Sequence, residues 1–479
     1  MRTISESDIQ AIIARVRHKV GESSQAPSRQ PVSPPAAGAE GVHATIDAAV
    51  AAARKAFLEY REQGLEARHR VIDRIRSVLR EHARELAEMA RLETGLGRTE
   101  DKIKKNLLVI EKTPGPEDLE PQTWTGDQGL TLTEPAPFGV IGAITPTTNP
   151  TATIINNTIA GVSAGNAIVF NTHPNAKAVS AHTIRLINSA ITDAGGPPNL
   201  VTCVPEPTIE SAQELMNHPG VRILLVTGGP GVVEEARKTS KRAILAGPGN
   251  PPVVVDETAD LELAGREIVR GASFDNNLIC TDEKEVFVVA SVADDLLKAM
   301  VAHGGYLLAE HELGKLDRVI FTEAAHDGTP GKINPRWIGR NAGDILAEIG
   351  VHNADDRRLI VADVPVNHSL IWTEQMMPVM PVARVPDVDR AIELAVQAEH
   401  GCCHTASVFT RNVDVITRMA RLIDVSIFVA NAATLAGLGD GGEGFTSFSI
   451  ASPTGEGMTR PRSFSRERRL AVAGGLRIV

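Results

Sequence analysis

FGVIGAITPTTNP (residues 138–150), INNTIAGVSAG (155–165) and NAIVFNTHP (166–174) decide the fold. Two short apolar runs ending in Thr, Pro or Asn bracket a segment of helical character, as in parallel βαβ units whose strands are buried on both faces. The alternation continues towards the C-terminus. A helix from Ala176 to Ala194 is followed by LVTCVP (200–205), a helix around Ser211 to Asn217, ILLVTG (223–228), a helix from Gly231, and RAILAGPG (242–249). A second set begins near Pro252 with PPVVVD (251–256), a helix from Leu261 to Ala272, CTDEKEVFVVA (280–290) and a helix from Ala293. Strand-like runs then recur at RLIVAD (358–363), MPVMPVARV (377–385), ASVFT (406–410) and VSIFVAN (425–431). Towards the N-terminus, Ala44 to Leu108 reads as helical, rich in Ala, Arg, Glu and Leu, with Gly95 and Gly97 as helix stops. TWTGDQGLTLTEPAPFG (123–139) predicts a hairpin or two short strands, and RRLAVAGGLRIV (468–479) a strand pair around Gly474 and Gly475.

A chain of 479 residues is too long for one compact core, so the two sets predict two α/β domains. The 59 acidic and 49 basic residues give a formal net charge of −10, which opposes binding to a phosphate backbone. Aromatic residues make up only 3% of the chain and leave little for base stacking. Both observations exclude a nucleic-acid binder. No apolar run has the length of a membrane span, and the N-terminus lacks the apolar block of a secretory signal, so a cytoplasmic protein with no membrane partner is expected. Residues 1–20 form a separate unit, because Ile9, Ile12, Ile13, Val16 and Val20 share one helical face and Ser7 is placed to cap it. The stretch GESSQAPSRQPVSPPAAGAE (21–40) reads as a flexible linker. A tethered amphipathic helix either folds back on the body or docks on a partner.

The four cysteines, Cys203, Cys280, Cys402 and Cys403, lack the CxxC spacing of a zinc site and read as free thiols; no metal site is expected. Cys203 falls in a strand-like run, and the vicinal Cys402 and Cys403 read as packing. Cys280 follows a helix by the turn-prone SFDNNLI (273–279) and precedes a strand, a setting in which a thiol can be exposed and reactive; an isolated cysteine is more often inert. ITPTTNP (144–150) sets polar side chains at the end of a buried strand, where ligands sit in open parallel sheets. Thr148 and Asn149 can each donate to a developing oxyanion there, a Pro-bounded turn being the plain alternative. TGGPGVVEEARK, from Thr227, places glycines between a strand and a helix without GxGxxG spacing, and its backbone N–H groups can receive a phosphate.

Together FGVIGAITPTTNP, VTGGPGVV, LAGPGNPPVVVD, SFDNNLICTDEK, EHGCCHTASVFT and GEGFTSFSIASPTGEGMTRP resemble the coenzyme-A-acylating branch of the aldehyde dehydrogenase superfamily, from about Val42 to Val479. The N-terminal helix and linker resemble the encapsulation peptides of enzymes housed in bacterial microcompartments. Within the branch, the resemblance points to the propionaldehyde and acetaldehyde dehydrogenases of those compartments. It implies an α/β fold with a Rossmann-type cofactor domain, an α/β catalytic domain and a small β oligomerisation arm. The boundaries are then 1–20 for the encapsulation-type helix and 21–40 for the linker. Residues 41–118 with 136–246 make the domain for NAD and coenzyme A, 247–440 the catalytic domain, and 119–135 with 459–479 the oligomerisation strands. A homodimer or homotetramer follows, with microcompartment shell or core proteins as partners of the N-terminal helix and the compartment lumen as its location.

The resemblance makes Cys280 the nucleophile and places the oxyanion-binding asparagine over Thr148 or Asn149. Alignment on Pro146 and Pro150 favours the first, residue identity the second. Glu374 in WTEQMMP matches a ribose-binding glutamate, and Thr227, Gly228 and Gly229 match the turn beside the cofactor. Thr145, Pro146, Asn171, His173 and Gly247 complete the implied cofactor-binding set. The family's lysine and glutamate near the adenosine ribose fall at Asn171 and Pro174, which leaves NAD and NADP both open. His404 stands where acylating relatives place a histidine and either relays a proton or orders a turn. Leu245 departs from the pattern, since hydrolytic relatives carry their general-base glutamate there, a group worth about 10²–10⁴ in rate. A thiol with a pKa of about 8.5 needs less help than water, so the site suits thiolysis by coenzyme A. The expected reaction takes a short aliphatic aldehyde (propionaldehyde or acetaldehyde), coenzyme A and NAD to acyl-CoA and NADH. A hydrolytic or semialdehyde-type dehydrogenase and a non-catalytic shell-associated protein are the rival readings.

Overall fold

The computed structural model describes residues 40–479. The helix expected at 1–20 and the linker expected at 21–40 lie outside the described residues, apart from Glu40. The helical stretch that follows divides into four helices, Ile46–Arg61, Leu65–Glu81, Ala83–Thr94 and Thr99–Lys112. Thr45 caps the first by accepting the Ala48 N–H, and Gly95 closes the third in the left-handed conformation that glycine adopts without penalty.

Five parallel strands follow, in the spatial order Val201–Cys203, Ala167–Asn171, Val140–Ile144, Ile223–Thr227, Arg242–Ala246. The chain winds outwards from Val140–Ile144 on one side and then crosses to Ile223–Thr227 on the other. Between those two strands the order reverses, so loops diverge at their carboxyl ends and open a crevice. The helix Pro150–Ser163 starts beside that crevice and is buried along its whole length.

A second sheet has seven strands, all parallel, in the order Gly305–Leu307, Leu359–Asp363, Val379–Val385, Glu285–Val289, Pro252–Val255, Thr405–Phe409, Ile427–Ala430. Its centre shows the two-residue period of strands. Val253, Val255, Val286 and Val288 enter one apolar cluster, while Val254 and Phe287 enter another on the opposite face.

A third, antiparallel sheet joins Gln122–Gly126, Gly129–Pro137 and Ser465–Ala473. The expected hairpin is present. The expected strand pair around Gly474 is not: Ser465–Ala473 is one nine-residue strand, and Gly474 has a φ of 71° and donates to the Gln128 carbonyl. The apolar residues of RRLAVA pair with the distant hairpin rather than with their own neighbours, because that register runs for nine consecutive pairs.

Candidate functional site

The short segment Gly247–Pro251 links the last strand of the five-stranded sheet to Pro252–Val255 of the seven-stranded sheet. The expected site residues gather around this link. Thr145, Pro146, Thr148, Asn149, His173, Gly228, Gly229 and Gly247 all follow strands of the first sheet, just beyond its carboxyl edge, and Asn171 and Thr227 each end one of those strands. Cys280, Glu374 and His404 precede strands of the second sheet, at its amino edge. The two sets approach through Gly249, where an added Cβ would lie 2.9 Å from His404 Cγ and 3.0 Å from the Cys280 carbonyl oxygen. A residue with a side chain would displace one or the other.

Asp275, Asn276 and Asn277 hold the loop that presents Cys280 in an unusual shape. All three have positive φ (45°, 58° and 63°), a region costing a non-glycine residue about 1–2 kcal/mol. Each side chain is tied to a different element. Asp275 accepts from Lys102 Nζ (2.9 Å), from the Arg98 N–H (2.7 Å) and from Lys105 Nζ. Gly97 (φ 71°) leaves room for this carboxylate, which lies 2.0 Å from where a Cβ would sit. Asn276 donates to the Gly339 carbonyl and to Asn341, and Asn277 donates to the carbonyls of Ala272 and Glu283. Lys284, fully buried, donates to Asn277 Oδ1 (2.5 Å) and to the carbonyls of Asn277 and Ile279. These bonds offset the backbone cost and place the thiol at the end of a braced loop.

Cys280 is half-buried and free. Burial pushes its thiol up to about 12, with the Glu374 and Asp282 carboxylates adding to the rise and Lys284 opposing it. The thiol is therefore neutral at rest rather than activated, and needs a base to give up its proton. His404 is buried and held down to about 4, first by burial and then by Lys284, so its imidazole is neutral. His404 Nδ1 meets Thr405 Oγ1 at 2.9 Å, and Nε2 is buried with no partner among the described residues. Glu374 is raised by burial, against Lys284 and the Gly249 N–H that it accepts.

At the other edge, Asn149 is buried and Thr148 half-buried. Asn149 caps the helix Pro150–Ser163 by position but makes no side-chain cap bond; its Oδ1 accepts from Lys105 Nζ (2.5 Å) and its Nδ2 donates to Thr148 Oγ1 (3.2 Å). Thr145 and Thr147 each bury a hydroxyl without a partner among the described residues. The Thr227 hydroxyl pairs with Ser449 Oγ at 2.7 Å, and Gly229 has open space where a Cβ would stand, at the start of the helix Pro230–Arg237. Unsatisfied hydroxyls and open backbone at a switch point fit a polar, anionic dinucleotide. Asn171, by contrast, spends its side chain on the turn at Thr208–Ser211, and His173 Nδ1 accepts the Asn175 N–H.

The chain belongs to the aldehyde dehydrogenase family. The family's model matches residues 22–314 and 357–445. The acetaldehyde dehydrogenase (acetylating) EutE of Salmonella typhimurium is 48% identical over 480 residues, covering 99% of this chain and 100% of that protein. Among solved structures, Rhodopseudomonas palustris propionaldehyde dehydrogenase with bound CoA and an acylated cysteine matches at 45% identity and TM-score 0.88, covering 92% of this chain and 99% of its own. A propionaldehyde dehydrogenase from the Clostridium phytofermentans fucose utilisation bacterial microcompartment matches at 43% identity and TM-score 0.88, covering 92% and 100%. No helix of the described residues is long and apolar enough to cross a membrane.

Sequence reasoning missed Lys102, Lys105, Asp275, Lys284 and Gly249. In the helix Thr99–Lys112 a signal was available, since Lys102, Lys105 and Asn106 share their face with Val109 and so occupy apolar phase. A second titratable group, Asp317, His326 and His368, lies in the seven-stranded half. Both Nε2 atoms sit 3.2 Å from Asp317 Oδ2, while the Nδ1 atoms face the Ser369 and Leu370 N–H groups. With Nδ1 accepting, each Nε2 carries the proton and donates to the carboxylate, which makes a hydrogen-bonded clasp rather than a metal centre.

Proposed function

We propose that this dehydrogenase converts a short aliphatic aldehyde, coenzyme A and NAD (or NADP) to acyl-CoA and NAD(P)H through a thioester on Cys280. The observation that carries the reading is the braced Asp275–Cys280 loop, which sets the Cys280 carbonyl against Gly249 and leaves the thiol half-buried, with neutral His404 packed on the same glycine. His404 is the group placed to take the Cys280 proton, since its imidazole is neutral and its Nε2 has no partner among the described residues, although burial and Lys284 hold it down to about 4 and make it a weak base. The thiolate adds to the aldehyde carbon, and the thiohemiacetal oxyanion is held by the Cys280 N–H and by Asn149 Nδ2, with Thr148 supporting the amide. Bound NAD(P) supplies the hydride acceptor, and bound coenzyme A the thiol that carries the acyl group away. Thr145, Pro146, Thr227, Gly228, Gly229, Gly247 and Glu374 line the place for the dinucleotide. Asn171 and His173 contribute through the shape of their turns, since Asn171's side chain and His173's Nδ1 are already occupied.

Leu245 supports thiolysis over hydrolysis: it is 2% exposed and offers water no base. The relatives' names, acetylating and propionaldehyde dehydrogenase, point to the same chemistry and to a two- or three-carbon aldehyde. Residues 1–20 serve as a docking segment for microcompartment shell or core proteins, a reading supported by the microcompartment origin of one relative. The antiparallel sheet exposes Trp124 and Leu470 in the single chain, an arrangement suited to pairing with a second copy in a homodimer or homotetramer.

The deciding experiment incubates parent and Cys280→Ala proteins with acetaldehyde or propionaldehyde and NAD or NADP, with and without coenzyme A. The parent is expected to form NAD(P)H catalytically only with coenzyme A, and the variant to form neither NAD(P)H nor a covalent acyl adduct by mass spectrometry. Substantial turnover by the variant would remove Cys280 from the role of nucleophile. Fast turnover of the parent without coenzyme A would instead make the enzyme hydrolytic.

A further inference from the structure

We propose that Lys105 is a positioning residue that fixes the Asn149 amide with its NH2 group turned towards the reacting carbonyl, an inference that rests on the oxyanion role given to Asn149 above. An asparagine at a helix N-cap ordinarily accepts a backbone N–H two or three residues on. Asn149 occupies that position and makes no such bond. Its Oδ1 faces Lys105 Nζ instead, and one Nδ2 hydrogen goes to Thr148 Oγ1. An ammonium has three donors and no acceptor, so a flipped amide would set donor against donor. The orientation is therefore forced, and the second Nδ2 hydrogen remains free to donate.

The ammonium needs a counter-charge, because Lys105 is only 2% exposed. Asp275 supplies it. Burial alone would raise the Asp275 carboxyl, but Lys102 and Lys105 together hold it below the usual carboxylate range. Asp275 also begins the left-handed run Asp275–Asn277 that leads into Cys280, and its own N–H is held by Asp101 Oδ2 at 3.1 Å. One buried ion cluster thus registers both donors of the oxyanion site: the amide through Lys105, and the Cys280 N–H through the loop. A lysine that merely filled its space would affect folding without acting on the transition state.

The test compares Lys105→Met, Asn149→Ala and the double variant by kcat and KM, melting temperature, and the rate of Cys280 alkylation by iodoacetamide. Removing the oxyanion donor with Asn149→Ala is expected to lower kcat by about 10²–10³. Lys105→Met should lower kcat at least about tenfold with KM changed less than about threefold, the signature of a contact made in the transition state. Its alkylation rate should stay within about twofold of the parent's, because the thiol keeps its place. Adding Lys105→Met to Asn149→Ala should cost less than about a further threefold, since both remove one interaction. Multiplicative losses, or a Lys105→Met enzyme near parental kcat, would overturn the proposal. If Lys105→Met leaves Asp275 uncompensated and fails to fold, Lys105→Met/Asp275→Asn removes both charges and is compared with Asp275→Asn alone, and a kcat no lower than that of Asp275→Asn would overturn the proposal. A fully active Asn149→Ala enzyme would overturn it too, while loss of turnover in Cys280→Ala would show that the nucleophile reading stands.

Discussion

Replacing Leu245 by Glu installs a carboxylate where hydrolytic relatives keep their general base, and the structure determines what that carboxylate will do. Leu245 is 2% exposed, sits on the strand Arg242–Ala246 and belongs to the apolar cluster around the five-stranded sheet. Burial of this kind raises a carboxyl pKa by up to about 3–5 units from about 4.3, so the group will be mostly protonated at pH 7. Holding the proton at pH 7, about 2.7 units above the unfolded value, costs about 4 kcal/mol at about 1.4 kcal/mol per unit. That is a large share of the roughly 5–15 kcal/mol by which domains are stable. The sign follows from linkage. With the folded pKa above the unfolded one, the deficit is absent below about pH 4.3, grows as pH rises, and levels off past the folded pKa. Leu245→Gln, which has similar shape and no charge, should show a deficit independent of pH. Urea unfolding of the parent and both variants at pH 5, 6, 7 and 8 measures this directly. The enzymatic consequence is that NADH formation without coenzyme A should gain little at pH 7 in Leu245→Glu and should rise with pH as the carboxyl ionises. An unfolding midpoint for Leu245→Glu that matches Leu245→Gln from pH 5 to 8 would refute the assignment of Leu245 to an apolar environment. Equal hydrolysis by the two variants at high pH would refute the argument from the missing base.

Glu283 offers a second pH-dependent test. Burial raises its carboxyl to about 7, against the Thr434 N–H that it accepts at 2.7 Å. Its contribution to stability is thus present below about pH 4.5 and lost as pH climbs through about 7, a change of about 3 kcal/mol. Glu283→Gln keeps an acceptor for Thr434 without the titration, so its unfolding free energy should vary less between pH 5 and 7 than the parent's; an unchanged profile would contradict this. Deletion of residues 1–20 should leave kcat and subunit assembly unaltered and abolish co-sedimentation with purified microcompartment shells. Retained co-sedimentation would show that docking lies elsewhere on the protein.

Much of the fold was legible because its signals are local. The run from Val140 to Asn171 declares strand, helix and strand through length and end residues alone, and the helix expected at Leu261–Ala272 forms with those boundaries. The terminal strand was misjudged because a register between segments more than 300 residues apart leaves no local mark. At the site, Cys280, His404 and Glu374 were visible by resemblance. Lys105, Asp275 and Lys284 were not, because a charged residue on a helix or in a polar run ordinarily faces water. Their burial is a property of the partners that surround them.

The sequence by itself thus determined the parallel α/β architecture and the family, and singled out Cys280 among the four thiols, since each rests on a pattern within a few tens of residues. Only the tertiary structure decided how that thiol is held. Three consecutive left-handed residues persist before Cys280 because Lys102, Lys105, Gly339, Asn341 and Lys284, brought from other parts of the chain, satisfy their side chains and the loop's carbonyls. Tertiary structure likewise fixed which way the Asn149 amide faces, because a buried ammonium can face only the oxygen of an amide.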